Sequence, residues 1–201
     1  MRVFKLDEAG LERAARVARG GGVVLYPDGL TYCLGCVPTE PEATRRVRGM
    51  LPPSSEPLPL IVSKEELARV LVSFNPLAER MAARFWPGPL TMVLPRRINY
   101  PLWVTHGARA LPVRVPAWEP ARKLASLAGG VLVCIPVEEA GGARALGLGD
   151  AVSRVKEFDL ALDGGVCEGG LPTVLDLTGE EAWVVRRGKV SIGDIRQALN
   201  G

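Results

Sequence analysis

Histidine occurs once in these 201 residues, as His106, and glutamine once, as Gln197. A Ser-His-Asp triad thus has a single base to draw on, and His106 stands beside Gly107 with no nucleophile elbow nearby. The chain has no H-E-x-x-H, no G-x-x-x-x-G-K-[ST] and no G-x-G-x-x-G after a strand. That removes the self-contained zinc-protease, P-loop and dinucleotide signatures. No apolar run approaches the roughly 18 residues needed to span a bilayer. The charged N-terminus lacks the apolar stretch of a signal peptide, so the expectation is a cytoplasmic protein with no membrane partner. Aromatic residues make up only 5% of the chain, which leaves the core to Val, Leu and Ala. A net charge of +3 is too small to argue for nucleic acid on its own. Scarce amides, 17 prolines and a preference for Arg over Lys fit a heat-adapted protein, and equally a GC-rich genome.

Cysteine is also sparse: Cys33, Cys36, Cys134 and Cys167. Cys33-Leu-Gly-Cys36 is formally a C-x-x-C, but a redox pair of that kind opens a helix after a strand. This one lies in an extended segment. With the other two cysteines isolated, the spacing of a four-cysteine zinc site is missing. The reading is therefore buried small hydrophobes and no metal site.

What the chain does have is organised around Gly22–Cys36. A short apolar strand, Val23 to Tyr26, runs into a Pro27-Asp28-Gly29 turn, and a second extended piece follows from Thr31. Proline presets φ and glycine permits positive φ, as a tight turn requires. Tyr26 and Tyr32 flank the turn, and Gly29 and Gly35 let backbone approach a ligand, so the unit reads as the lip of a cleft.

Around it the pattern alternates. Helices are expected over 7–19 with Asp7 as cap, 39–48 with Thr39 as cap, 64–72 with a Ser63–Glu66 capping box, 76–85, 120–128, 150–157 and from Ser191 onward. Strands are expected over 58–62, 90–94, 111–115, 131–135, 173–177 and 183–186. A polar loop covers 96–110, and a glycine-rich one runs from Gly141 to Gly149. Short links between the strand pairs at 23–36 and 173–186 favour antiparallel neighbours. The expected architecture is one α/β domain over residues 1–201, a twisted mixed sheet with helices packed on it.

Several segments together resemble the YrdC family, the threonylcarbamoyl-AMP synthases. They are VVLYPDGLTYCLGC (23–36), PLPLIV (57–62), RFWPGPLTMVL (84–94), VTHGARALPVRVP (104–116), DLALDGG (159–165), PTVLDLTG (172–179) and VVRRGKVS (184–191). The resemblance implies a twisted mixed sheet around a large, positive, concave cavity. It also implies an enzyme that joins threonine, bicarbonate and ATP, with magnesium accompanying the ATP, to serve tRNA modification. Some members are associated with double-stranded RNA. Arg114, Arg186, Tyr32 and Thr173 match family positions that bind substrate or nucleotide.

Other matched positions depart. Asp28 and Leu30 stand where the family has two hydroxyls. Met50-Leu51-Pro52-Pro53 replaces Lys-x-Arg-Pro. Pro136-Val137-Glu138 replaces Ser-x-Asn, with a carboxylate expected to repel ATP. Pro172 replaces a serine, and a histidine position falls on Trp118. Three readings follow: a family member without the standard reaction that keeps a cleft for a small molecule or nucleotide; an active synthase with relocated residues such as Arg46, Arg48 and Arg186; or a tRNA- or double-stranded-RNA-binding module using those arginines with Arg45, Arg96, Arg97, Arg187 and Lys189.

Overall fold

The computed structural model describes residues 2–52, 54–138 and 142–200; Pro53 and Gly141, named above, lie outside the described residues. The chain opens with strand β1 (Val3–Lys5), too short to show a pattern in the sequence, and helix α1 (Glu8–Arg19). Asp7 caps α1 by accepting from Gly10 N at 2.8 Å. β2 (Val24–Pro27) and β3 (Tyr32–Gly35) form the antiparallel hairpin that the short link implied. Pro27 is the last paired residue, opposite Tyr32, so the connection is the longer loop 28–31.

Helix α2 (Pro41–Gly49) and helix α3 (Glu65–Leu71) begin at Glu40 and Lys64, neither of which makes a side-chain cap bond. Thr39 and Ser63 therefore do not cap. The Ser63 amide instead donates to the Gly130 carbonyl, tying the end of β4 (Leu60–Val62) to the loop beneath it. Helix α4 (Pro76–Phe85) is capped by Asn75, and β5 (Leu90–Pro95) follows the Trp86–Pro89 break. Inside the expected polar loop lies a four-residue helix, α5 (Leu102–Thr105), too short to display periodicity.

β6 (Ala110–Arg114), α6 (Glu119–Leu127), β7 (Val131–Val133) and β8 (Ile135–Pro136) come next. α7 (Leu148–Arg154), β9 (Leu160–Asp163), β10 (Thr173–Asp176), β11 (Trp183–Arg186) and α8 (Ile192–Asn200) complete the chain.

The mixed α/β class holds, with the strands divided between two ladders. One runs β1-β9-β2-β3-β8 and the other β11-β10-β5-β6-β4-β7, each with parallel and antiparallel pairs. The expected single strand over 131–135 is what joins them. β7 pairs with β4 and β8 with β3, so the chain crosses from one ladder to the other at Cys134. There the Cys134 amide donates to the Pro59 carbonyl at 3.0 Å.

Alternation along β2 splits the core. Val24 and Tyr26 face α1 and α6, whose Ala14, Ala15, Ala18, Ala121 and Ala125 lie in the same apolar cluster; Leu25 faces the other cluster with Leu34, Leu60 and Met92. Among the described residues, no helix is long and apolar enough to cross a membrane.

Asn75 serves two elements at once. Its oxygen accepts from Ala78 N at 2.9 Å, and its amide donates to the Leu177 and Gly179 carbonyls at 2.8 and 3.1 Å. Asn75→Ala is expected to lower stability by about 1–2 kcal/mol, as for other lost caps. For a chain of this size that is a fall of roughly 2–8 °C in Tm, read by thermal denaturation.

Candidate functional site

The hairpin tip is organised by the side chain of Asp28 as much as by its glycine. Asp28 Oδ1 accepts from the Leu30 and Thr31 amides, each at 2.9 Å, and the Asp28 amide donates to the Thr31 carbonyl at 3.0 Å. The carboxylate therefore closes loop 28–31 from inside. Its other oxygen, Oδ2, accepts from Nη2 of Arg114, the last residue of β6. Both residues are nearly sealed from solvent, Asp28 3% and Arg114 4% exposed. Burial alone would pull the Arg114 guanidinium down, but the charge of Asp28, with Cys134 and Cys33 beside it, outweighs this and holds it above its ordinary value.

Cys33 and Cys134 complete the cluster. Cys134 Sγ lies 3.9 Å from Asp28 Oδ2 and 3.9 Å from Arg114 Nη2. Burial drives the Cys33 thiol up, whereas the Cys33 thiol beside it draws Cys134 down. The expected C-x-x-C does not form as a unit. Cys33 belongs to the cluster under α1 and α6, and Cys36 to the opposite cluster. Residues three apart on a strand point to opposite faces.

The Asp28–Arg114 pair sits where two lobes of a cavity meet, each of about 500 Å³. The narrow lobe is bounded by Gly29, Leu30, Trp118, Gly164, Glu168 and Lys189. Here two glycines are required by close approach. A Cβ on Gly29, whose φ is +95°, would stand 2.8 Å from the Trp118 Cβ; one on Gly164 would stand 2.7 Å from Pro27 Cγ. The wide lobe is floored by Leu60, Ile61, Val93 and Val174 and ringed by Pro57, Pro59, Pro112, Pro136 and Pro172. Its charged groups are Asp28, Glu56 and Asp176 against Arg114 and Arg186. The cavity is thus mixed in charge, where the family resemblance implied a positive one.

The four matched residues do not converge. Arg114 and Arg186 line the wide lobe. Arg186 donates to the Pro172 carbonyl at 3.1 Å; burial, then the nearby Arg144 and Arg114 charges, push its guanidinium down. Tyr32 and Thr173 line neither lobe. The Tyr32 hydroxyl donates to the Gly165 carbonyl at 3.0 Å and accepts from Gly164 N at 3.2 Å, holding the loop after β9. Thr173 Oγ1 is buried between the Val190 carbonyl and amide, at 2.8 and 3.1 Å.

Of the positions that the resemblance marked as replaced, Asp28, Leu30, Pro136 and Pro172 line the cavity, while Met50 and Pro52 do not. Met50 closes α2 and packs on the core. Glu138 forms an ion pair with Arg144, so its expected repulsion of an anion is largely cancelled.

Of the arginines considered as substitutes, Arg186 lines the wide lobe, Arg48 is tied to Glu56 in the wall of that lobe, and Arg46 is engaged elsewhere. Arg46 donates to Asp159 at 2.8 Å and to Glu157 at 3.3 Å. Arg48 donates to the Glu56 carbonyl at 2.8 Å, Arg97 to the Arg69 carbonyl at 2.9 Å, and Arg45 pairs with Glu42. Arg187 and Lys189 line a shallow depression with Arg144. Glu168 enters the cavity wall without having stood out in the sequence; Lys189, named there as a candidate phosphate contact, and Cys134, named there as a buried cysteine, line it as well.

The sequence and the fold have counterparts. Threonylcarbamoyl-AMP synthase of Pyrococcus abyssi is 30% identical over 202 residues, covering 97% of this chain and 58% of that protein. The synthase of Halorhodospira halophila is 38% identical over 125 residues, 61% of this chain and 65% of that one. The chain thus spans about three-fifths of the length of these relatives. Among solved structures, P. abyssi Sua5 complexed with L-threonine superposes with a TM-score of 0.89 at 29% identity, over 98% of this chain and 59% of that one. YciO of E. coli shares the fold, with a TM-score of 0.88 at 23% identity over 97% of this chain and 100% of that one. The Sua5/YciO/YrdC family model, described as "Telomere recombination", matches residues 16–188, and the chain belongs to that family.

Proposed function

We propose that this chain is a ligand-binding member of its family in which the joining of threonine, bicarbonate and ATP no longer runs. The observation that supports this reading is the buried ion pair between Asp28 and Arg114. An anion approaching Arg114 also meets the Asp28 carboxylate. At about 4 Å, two like charges repel by roughly 4 kcal/mol at an effective dielectric near 20. At the same distance and dielectric the guanidinium attracts the anion by a similar amount. Repulsion therefore offsets what Arg114 offers.

The donor set also suits a triphosphate poorly, since Glu56 and Asp176 share the wide lobe with Arg186. The ligand that fits this lobe is a small molecule with an apolar body against Leu60, Ile61 and Val174 and one anionic group near Arg186.

The likeness to threonylcarbamoyl-AMP synthases over most of the chain favours a second reading, an active synthase. It requires Arg114 to exchange Asp28 for substrate. One assay separates the two. With ATP, L-threonine and bicarbonate present, no threonine-dependent pyrophosphate release is expected. Release that disappears in Arg114→Ala would establish the synthase instead. Asp28→Asn should expose the charge of Arg114. We expect it to lose about 3–5 kcal/mol of stability, as when one partner of a buried pair is removed. We also expect it to recover part of that in bicarbonate or phosphate, which leave the unaltered chain unchanged in a thermal-shift series.

Arg46 is held by Asp159 and Glu157, away from the cavity lining. Burial raises the Asp159 carboxyl, but bonds from Arg46 and from the Val23 amide, the latter at 2.7 Å, outweigh it and hold the group below its ordinary range. A depressed carboxyl stabilises the fold above its unfolded value, and that stabilisation is lost as pH falls through the folded one. Arg46→Ala is therefore expected to lose about 0.5–1 kcal/mol at neutral pH, the pair being partly exposed. The difference from the unaltered chain should vanish in acid denaturation curves, and ligand binding should not change.

A further inference from the structure

Asp28, Cys33 and Cys134 each offer one ligand atom, and the three atoms lie within 4.8 Å of one another. Nothing in the proposed ligand cleft uses the two sulfurs. We propose that these three side chains form a binding site for a thiophilic divalent cation of the zinc type, with its fourth position open to the wide lobe.

The spacing fits. Zinc binds thiolate sulfur at about 2.3 Å and carboxylate oxygen at about 2.0–2.2 Å. Tetrahedral angles at those lengths put neighbouring ligand atoms roughly 3.6–3.8 Å apart. The separation of Asp28 Oδ2 and Cys134 Sγ is 3.9 Å. Both of those residues also line the wide lobe, which supplies a route for the ion and room for a water or an exogenous ligand.

Orientation is fixed from outside the ligand set, as metal sites require. Asp28 Oδ1 is held by two backbone amides at 2.9 Å, so the carboxylate cannot swing away. Arg114 bonds Oδ2 and reaches to 3.9 Å from Cys134 Sγ. It stands as an outer donor to two of the three ligands.

Charge decides whether a cation is tolerated beside a guanidinium. With both thiols protonated, Asp28 and Arg114 cancel. As a divalent ion enters, each thiol gives its proton to solvent and a metal–sulfur bond takes its place. Two negative sulfurs and one divalent cation sum to zero, so the buried cluster stays neutral throughout. The large penalty for an uncompensated buried charge never arises. No electron changes hands. Two thiolates with one carboxylate select a borderline-soft ion over magnesium or calcium, which take oxygen ligands.

The test uses the full chain, reduced and stripped of metal by chelation, titrated with Co²⁺ and then Zn²⁺. A thiolate-to-cobalt charge-transfer absorption is expected, saturating at one ion per chain and lost as zinc displaces cobalt. Calorimetry in buffers of different ionisation enthalpy should return about two protons per ion. Cys134→Ser should abolish the absorption, and Cys36→Ser with Cys167→Ser should leave it intact. Because a buried substitution can impair folding, zinc-edge X-ray absorption on the unaltered chain gives an independent answer: two sulfur neighbours and two light ones. Coordination by oxygen and nitrogen alone would overturn the proposal, as would absorption that survives loss of both Cys33 and Cys134. A Cys33–Cys134 disulfide that forms in air and leaves no metal uptake after reduction would also overturn it.

Discussion

A carboxylate and a guanidinium, both removed from water, hold the middle of this molecule together. Taking each out of solvent is expensive by several kcal/mol, and the arrangement persists only because nearly every lone pair and proton is answered. Asp28 Oδ1 is answered by the Leu30 and Thr31 amides, and Oδ2 by Arg114. The pair also spans the architecture. Asp28 follows the end of β2 in one ladder, and Arg114 ends β6 in the other. The hairpin tip cannot move without dragging a charge across the seam, which makes the lip of the cleft a rigid element.

That rigidity shapes what the cavity offers. Arg114 lines both lobes but its charge is already answered, so the lobes differ less in charge than in shape and lining. The narrow lobe is defined by Trp118 pressed against Gly29 and Gly164. The wide one is defined by apolar floor residues and a ring of prolines, with Arg186 fixed by the Pro172 carbonyl. Pro172 offers a carbonyl but no hydroxyl, and that carbonyl is the acceptor that orients the neighbouring arginine.

Much of this was legible in the sequence where local rules apply. The hairpin, most of the longer strands and helices and the caps at Asp7 and Ser191 follow from short-range pattern, whereas β1, α5 and the division of 131–135 into β7 and β8 do not. What was hidden depends on distance along the chain. The partner of Asp28 lies 86 residues away, and that of Cys33 lies beyond β7, so no spacing rule could reveal either. Tyr32 and Thr173 show the converse. The family resemblance pointed to both, but the Gly164–Gly165 loop and Val190 take up their hydroxyls. Residue type at a matched position reports chemistry available, and the hydrogen-bond partners decide whether it is free.

The hand-over between ladders explains why the reactive atoms gather where they do. A chain that leaves one sheet for another must break its ladder, and at Cys134 the amide turns to Pro59 between the paired segments β7 and β8. Strand ends from both ladders meet at this break. In open α/β sheets such crevices beyond strand ends are where ligands bind, because side chains there are positioned by the sheet yet not consumed by it. Asp28, Arg114 and Cys134 come from three different strand ends at this one seam. Asp28 therefore acts on the whole cluster at once. It answers the charge of Arg114, sets the polarity around two thiols and closes loop 28–31. A single carboxylate at a seam between sheets thus ties a turn, a guanidinium and two thiols together.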